Sequence, residues 1–277
     1  MRKYLVWLFV VLCFGCQEEV DLPLATIDGE IPMIEAKWTN VPALNEVKIT
    51  LAQDYFENTD APVIADAEVS IRNLRTGEVI PFSFVNQLSF YKPVDPRRIA
   101  QIGETYELEV RWKGNIYTGN GEMLEAPILD SLSYEFQEER LFRDEGYYIK
   151  AYGKIPFEED NYYRIRVIEN DTLKNDRDDY LLFDDTFGVE FFEEGLELNY
   201  AFKEGDRIRL ELFRMNKGAY EYFSQLVGLL FNDGGLFSPP PQNPDSNIRR
   251  VQGLGEHLGY FLVGPVLFET IDILPSD

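Results

Sequence analysis

The chain has 277 residues and carries 49 Asp or Glu against 26 Lys or Arg, a net charge of −23; such acidity repels phosphates and argues against nucleic acid or anionic headgroups as partners of the folded surface. A single histidine and two cysteines exclude a zinc site built from several His or Cys. Both cysteines, Cys13 and Cys16, fall in the N-terminal segment, so the remainder has no disulfide available and must rely on packing, over a length that suits two ordinary domains.

In chain order, Arg2 and Lys3 precede an apolar run from Tyr4 to Phe14 that closes on Gly15-Cys16. The run is shorter than the ~20 residues a spanning helix needs. It reads as a signal peptide over 1–15 followed by a lipidation site at Cys16. The segment resembles a bacterial lipobox, with Gly15 before the cut and Cys13 where Leu is usual. Acyl chains on the Cys16 sulfur would hold a water-soluble body at a membrane, each buried methylene contributing ~0.8 kcal/mol. The plainer alternative is a secreted protein with a chance cysteine near its cut. Residues 16–23 form an acidic tether, and Gln17-Glu18-Glu19-Val20-Asp21 is similar to the surface-export signal of Bacteroidetes outer-membrane lipoproteins. A solvated spacer is the other reading of that acid run.

Period-two alternation begins at Ile31–Trp38 and returns at Val47–Leu51, Ala67–Arg72, Val79–Val85 and Thr105–Trp112. Lys113-Gly114-Asn115 marks a hairpin into Ile116-Tyr117-Thr118. Short strands at this spacing without helical period predict an immunoglobulin-like β-sandwich over 24–125. Ala126-Pro127 reads as a domain joint.

Residues 126–277 are expected to form a second β-rich domain with one or two helices, making the whole chain mostly β. Its predicted strands are Leu129–Phe136, Tyr147–Ile155, Asn161–Ile168 and Asp206–Phe213, with Arg164 and Arg166 sharing one strand face. A helix is predicted near 217–231, with Asn216 as its N-cap, an apolar side of Tyr222, Leu226, Leu229 and Leu230, and a stop at Asn232-Asp233-Gly234-Gly235. Tyr260–Val263 and Val266–Ile271 return to strand.

The most distinctive text lies late in the chain. Pro239-Pro240-Pro241 is a stiff extended stretch, either a docking ligand or, more plainly, a loop lining. Beyond it come Asn243-Pro244-Asp245-Ser246-Asn247-Ile248, a glycine-rich stretch and Leu258-Gly259-Tyr260-Phe261. No strand, glycine loop and Lys-Ser/Thr ending follow one another, which argues against a nucleotide loop. These segments, with Gly205-Asp206, Tyr220-Glu221-Tyr222-Phe223 and Asn161-Tyr162-Tyr163-Arg164 before them, resemble the domain-of-unknown-function 4249 family of Bacteroidetes lipoproteins. The sequence departs from that pattern by inserting Arg249-Arg250-Val251-Gln252 and Glu256-His257. The resemblance implies an accessory role beside TonB-dependent outer-membrane receptors and supplies no catalytic residues.

Enzyme chemistry has few candidates. His257, in a glycine-flanked turn, reads as a surface residue rather than a general base. The carboxylate groups Asp184-Asp185, Glu193-Glu194 and Glu158-Glu159-Asp160 suit a hydrolase or a calcium site in type, but none has the calcium-loop spacing and an acidic chain produces such pairs by chance. The expectation is a lipoprotein anchored through Cys16 at the outer membrane, facing outward. It would act without catalysis, cofactor or metal as an accessory or ligand-capturing subunit of a TonB-dependent receptor barrel, taking a small-molecule, peptide or glycan ligand. The alternatives are a surface glycoside or peptide hydrolase using a carboxylate pair and a structural adhesin.

Overall fold

Alternating apolar and polar residues leave one face of an extended chain seeking cover, and the strands of this protein follow that alternation closely. The structure, a computed structural model, describes residues 29–54, 57, 59–186, 189–232 and 242–274, with the side chains of 189–191 also outside the description. The expected signal peptide, Cys16, the acidic tether and Pro239-Pro240-Pro241 lie outside the described residues. The fold is mostly β.

The first seven strands are β1 (Pro32–Trp38), β2 (Glu46–Leu51), β3 (Glu68–Asn73), β4 (Val79–Val85), β5 (Phe90–Pro93), β6 (Thr105–Trp112) and β7 (Asn115–Glu122). The chain then forms a long hairpin of β8 (Ile128–Gln137) and β9 (Gly146–Lys154), followed by β10 (Tyr162–Glu169), β11 (Thr172–Leu173) and β12 (Leu181–Asp184). A short helix α1 (Val189–Glu194) leads to β13 (Leu196–Glu197) and β14 (Arg207–Arg214). Helix α2 (Lys217–Leu230) precedes the last strands, β15 (Ile248–Gln252), β16 (Leu258–Val263) and β17 (Val266–Asp272).

In place of the two separate sheets of an immunoglobulin-like sandwich, β1–β7 lie in one nine-stranded path ordered β15-β7-β6-β3-β4-β5-β2-β1-β16. Both of its end strands come from residues 248–263, on the far side of the expected joint. The inserted Arg249-Arg250-Val251-Gln252 is part of β15, paired antiparallel with β7, and β16 runs parallel to β1. The sheet curls until β7 lies against β16: a Cβ on Gly121 would stand 2.6 Å from Cγ2 of Val263. Inside the curl, Ile34, Trp38, Ile71, Leu108 and Phe261 are fully buried in one core. Trp38 meets Phe82 and Tyr106 edge-on at centroid distances of 6.0 and 5.9 Å, an arrangement favoured by ring quadrupoles.

A second core forms between two smaller sheets, β13-β9-β8 and β11-β10-β14-β17, with β12 also paired to β10. Ile149 and Ala151 of β9 pack with Tyr163, Ile165 and Val167 of β10 and Leu210 and Leu212 of β14. Alternation therefore sends Arg164 and Arg166 to the opposite face of the second sheet.

Two glycine-to-backbone approaches hold β16 in place. At Gly259 φ is +116°, and a Cβ there would lie 1.9 Å from the Ile34 carbonyl oxygen; only glycine allows β16 so near β1 at this conformation. At Gly264 a Cβ would lie 1.9 Å from the carbonyl oxygen of Arg214.

Asn216 is the N-cap residue of α2 as expected, but its side chain makes no cap hydrogen bond. It accepts from the Val263 N–H at 2.9 Å and donates to the Phe261 carbonyl at 3.2 Å. Asn247 accepts from the Phe261 N–H at 2.8 Å and donates to the same carbonyl at 2.9 Å. Among the described residues, strand β16 has a partner strand along one edge alone, and a buried unpaired edge would be costly. The two asparagines take the place of a missing strand, which outweighs capping. The expected apolar side of α2 also shifts: Ala219, Tyr222 and Phe223 are buried, Leu226 is half-buried and Leu230 is exposed.

Candidate functional site

The outward faces of β1 and β10 do not open to bulk solvent on every side, because α2 packs across β16 and reaches β10. Tyr222 and Phe223 of α2 meet Tyr260 of β16 at centroid distances of 5.1 and 4.7 Å. Between the two sheets and beneath this helix lies a cleft of about 310 Å³, within the range of small-molecule sites.

Each lining side chain follows from strand alternation. Pro32, Ile34, Ala36 and Trp38 of β1 turn inward, so Met33, Glu35 and Lys37 face the cleft. The parallel register places Tyr260 beside Glu35 and Leu262 beside Lys37. Across the gap stand Arg164 and Arg166, whose strand neighbours on β14 are Phe213 and Glu211. The site thus has a charged floor and aromatic walls, and both halves of the chain build it.

The charges are not equally matched. Lys37 Nζ is 2.6 Å from Glu46 Oε1, and Lys92 Nζ is 2.8 Å from Glu46 Oε2. Arg166 Nε is 3.5 Å from Glu211 Oε2, near enough for an ion pair but without hydrogen-bond geometry, and Arg209 shares the same carboxylate at 3.5 Å. Arg164 has no ion-pair partner among the described residues. Its guanidinium carbon lies 4.4 Å from the centre of the Phe223 ring and 4.8 Å from that of Tyr180, and its buried Nε has no hydrogen-bond partner.

Burial moves the protonation equilibria of the lining groups. It raises the Glu35 carboxyl above its ordinary value, with Lys48 and Lys37 pulling it partly back. It lowers the Lys37 ammonium against the opposing pull of Glu46, and lowers the Arg164 guanidinium. The Tyr222 hydroxyl is pushed up to about 12, and Tyr260 also rises, both chiefly by burial. In all five groups burial disfavours the charged form. The cleft therefore holds ionic groups under a desolvation load, with Arg164 the least compensated of its lining cations.

The carboxylates singled out by sequence are placed elsewhere. Asp184 accepts from Tyr220 Oη at 3.0 Å and from the Thr186 N–H, while Asp185 accepts from Asn161 Nδ2 at 2.7 Å. These two residues tie β12 to α2 and to the start of β10. Glu158, Glu159 and Asp160 are exposed in side chain, and the backbone oxygens of the last two accept from Arg214. Glu193 and Glu194 are exposed at the end of α1. Among the described residues no three His, Cys, Asp or Glu cluster as a metal site would require.

His257 lies in the turn before β16 and is half-buried. Its Nε2 lies 2.8 Å from the Ile248 carbonyl oxygen, and its ring centroid is 5.4 Å from that of Tyr117. Ser246, in the distinctive Asn-Pro segment, donates from Oγ to the Gly259 carbonyl at 2.6 Å, so that segment fastens β16 and with it one wall of the cleft. Sequence reasoning put Arg164 and Arg166 on one face and missed Glu35 and Lys37, whose polar alternation in β1 resembles any solvated strand face.

A family model described as a domain of unknown function (DUF4249) matches residues 17–267. No curated protein matches the chain.

Proposed function

The chain belongs to the DUF4249 family, and from that premise we propose that it is a lipid-anchored, non-catalytic ligand-capturing protein of the outer membrane, serving a TonB-dependent receptor barrel. Acyl chains on Cys16 supply the anchor, the acidic tether holds the body off the membrane, and the β body presents a cleft to the exterior. The observation that carries the reading is the cleft itself: a cavity of about 310 Å³ at the meeting of two sheets, with cationic and aromatic lining. Cavities between packed units, largely preformed and lined by aromatics with a few polar groups, are where small ligands bind.

Among the described residues no two carboxylates face each other across this cleft, since Glu35 is the one acidic group in its described lining. That favours capture over hydrolysis, which needs two carboxyl groups flanking a bond.

The test joins the anchor to the partner. In the native host, the wild-type chain is expected in the outer-membrane fraction and in co-purification with a large barrel from mild detergent. Cys16→Ser is expected to release it to the soluble fraction. Membrane retention of Cys16→Ser, or recovery of the wild-type chain without any barrel, would sink the proposal.

A further inference from the structure

Resting on the reading of the cleft as a capture site, we infer that it takes a small organic carboxylate with an apolar or aromatic body, and that Arg164 is the residue that binds the carboxylate. The first support is charge accounting. Of the three cations that line the cleft, Lys37 is matched by Glu46 and Arg166 by Glu211, whereas Arg164 has no described carboxylate in ion-pair range. An unpaired cation removed from water is costly, and an anionic ligand would compensate it.

The second support is geometry. Phe223 and Tyr180 lie against the guanidinium at 4.4 and 4.8 Å. A cation held over ring faces is attracted to them without spending its N–H donors, and among the described residues the buried Nε has no hydrogen-bond partner. The two oxygens of a carboxylate match the guanidinium fork. Inorganic phosphate shares that match but would leave the walls unused.

The third support is the character of those walls. Phe213, Phe223, Tyr222 and Leu226 surround the floor, and an apolar body buried among them is favoured by the removal of its surface from water. The chain carries a net charge of −23, so long-range electrostatics give an anion no general pull toward it. Glu35, on the opposite strand, restricts the space to a ligand with one anionic end directed at Arg164.

The experiment uses the full lipidated chain in detergent and titrates 3-phenylpropanoate calorimetrically, with 3-phenylpropanol and inorganic phosphate as separate arms. The expected result is binding of 3-phenylpropanoate at millimolar concentration or below, and at least tenfold weaker binding of the alcohol and of phosphate. Arg164→Gln is expected to weaken 3-phenylpropanoate about tenfold or more, the scale of one charge-assisted bidentate contact, and Arg164→Lys to restore only part of it. If Arg164→Gln does not fold, protection of wild-type Arg164 from phenylglyoxal by 3-phenylpropanoate, read by mass spectrometry, decides the point. Absence of binding, equal binding of the alcohol or of phosphate, or indifference to both Arg164 readouts overturns the inference. Carboxylate binding by a chain that recruits no barrel would remove the transporter role and leave this site standing. Barrel recruitment without carboxylate binding would do the reverse.

Discussion

Arg214, at the end of β14, donates from Nη1 to the backbone oxygen of Glu125 at 3.1 Å, joining the second sheet to the stretch where the chain leaves the first. The same guanidinium donates to the carbonyls of Glu159 and Asp160 at 3.1 and 3.2 Å and lies 3.7 Å from the centre of the Phe157 ring. A side chain with no carboxylate in ion-pair range among the described residues thus ties two other backbone segments to β14 through three carbonyl oxygens.

Replacing Arg214 with Met keeps much of the apolar stem and removes all three donors. The carbonyls it served are partly buried, and each loses a charge-assisted bond. The expected loss is on the order of 3 kcal/mol in urea unfolding. A change below about 0.5 kcal/mol, the level of an ordinary surface substitution, would show that water replaces the guanidinium without penalty.

Asn247→Ala tests the side-chain cover of β16. The substitution strips the Phe261 N–H of its acceptor, while the Phe261 carbonyl keeps its bond from Asn216. A loss of about 2 kcal/mol is expected from one orphaned donor and one lost bond. Hydrogen exchange at Phe261 should accelerate more than at Ile34 in the paired strand. Equal exchange at both positions, or no change in stability, would mean that the edge finds another partner.

The pH dependence of stability can be traced to Glu35. Its folded pKa is raised, so the folded state holds its proton more tightly than the unfolded chain does. The contribution of this group is therefore most favourable below its unfolded value near 4.5 and is lost as pH rises through the higher folded value. Glu35→Gln, neutral throughout, is expected to unfold at a higher temperature than wild type at pH 7, with the difference shrinking toward pH 4. Glu46 behaves oppositely. Burial acts to raise it, but Lys37 and Lys92 together bring it below its ordinary value, so its support is present at neutral pH and lost on acidification. A Glu35→Gln advantage that grew on acidification would contradict this account.

Much of the local structure could be read directly from residue order. Thr105–Trp112 and Val79–Val85 are strands over the very residues their alternation marked, because one buried face per strand is a property of a few consecutive side chains. Helix α2 was found for the same reason. Its buried side was misassigned toward Leu230 because helical spacing fixes which residues share a face and not which face meets a neighbour.

The sequence by itself determined a mostly β chain, its acidic character, the family resemblance and the two arginines on one face of Asn161–Ile168. Tertiary structure alone decided that residues 248–263 return to close the first sheet, that Asn216 and Asn247 serve as a surrogate strand, and that Glu35 faces Arg164 across a cleft. The physical reason is range: alternation and turn chemistry act over neighbouring residues, whereas the parallel pairing of Ile34 with Gly259 joins positions far apart in the chain. Which polar face becomes a binding wall depends on what another sheet brings opposite to it, and no local pattern carries that information.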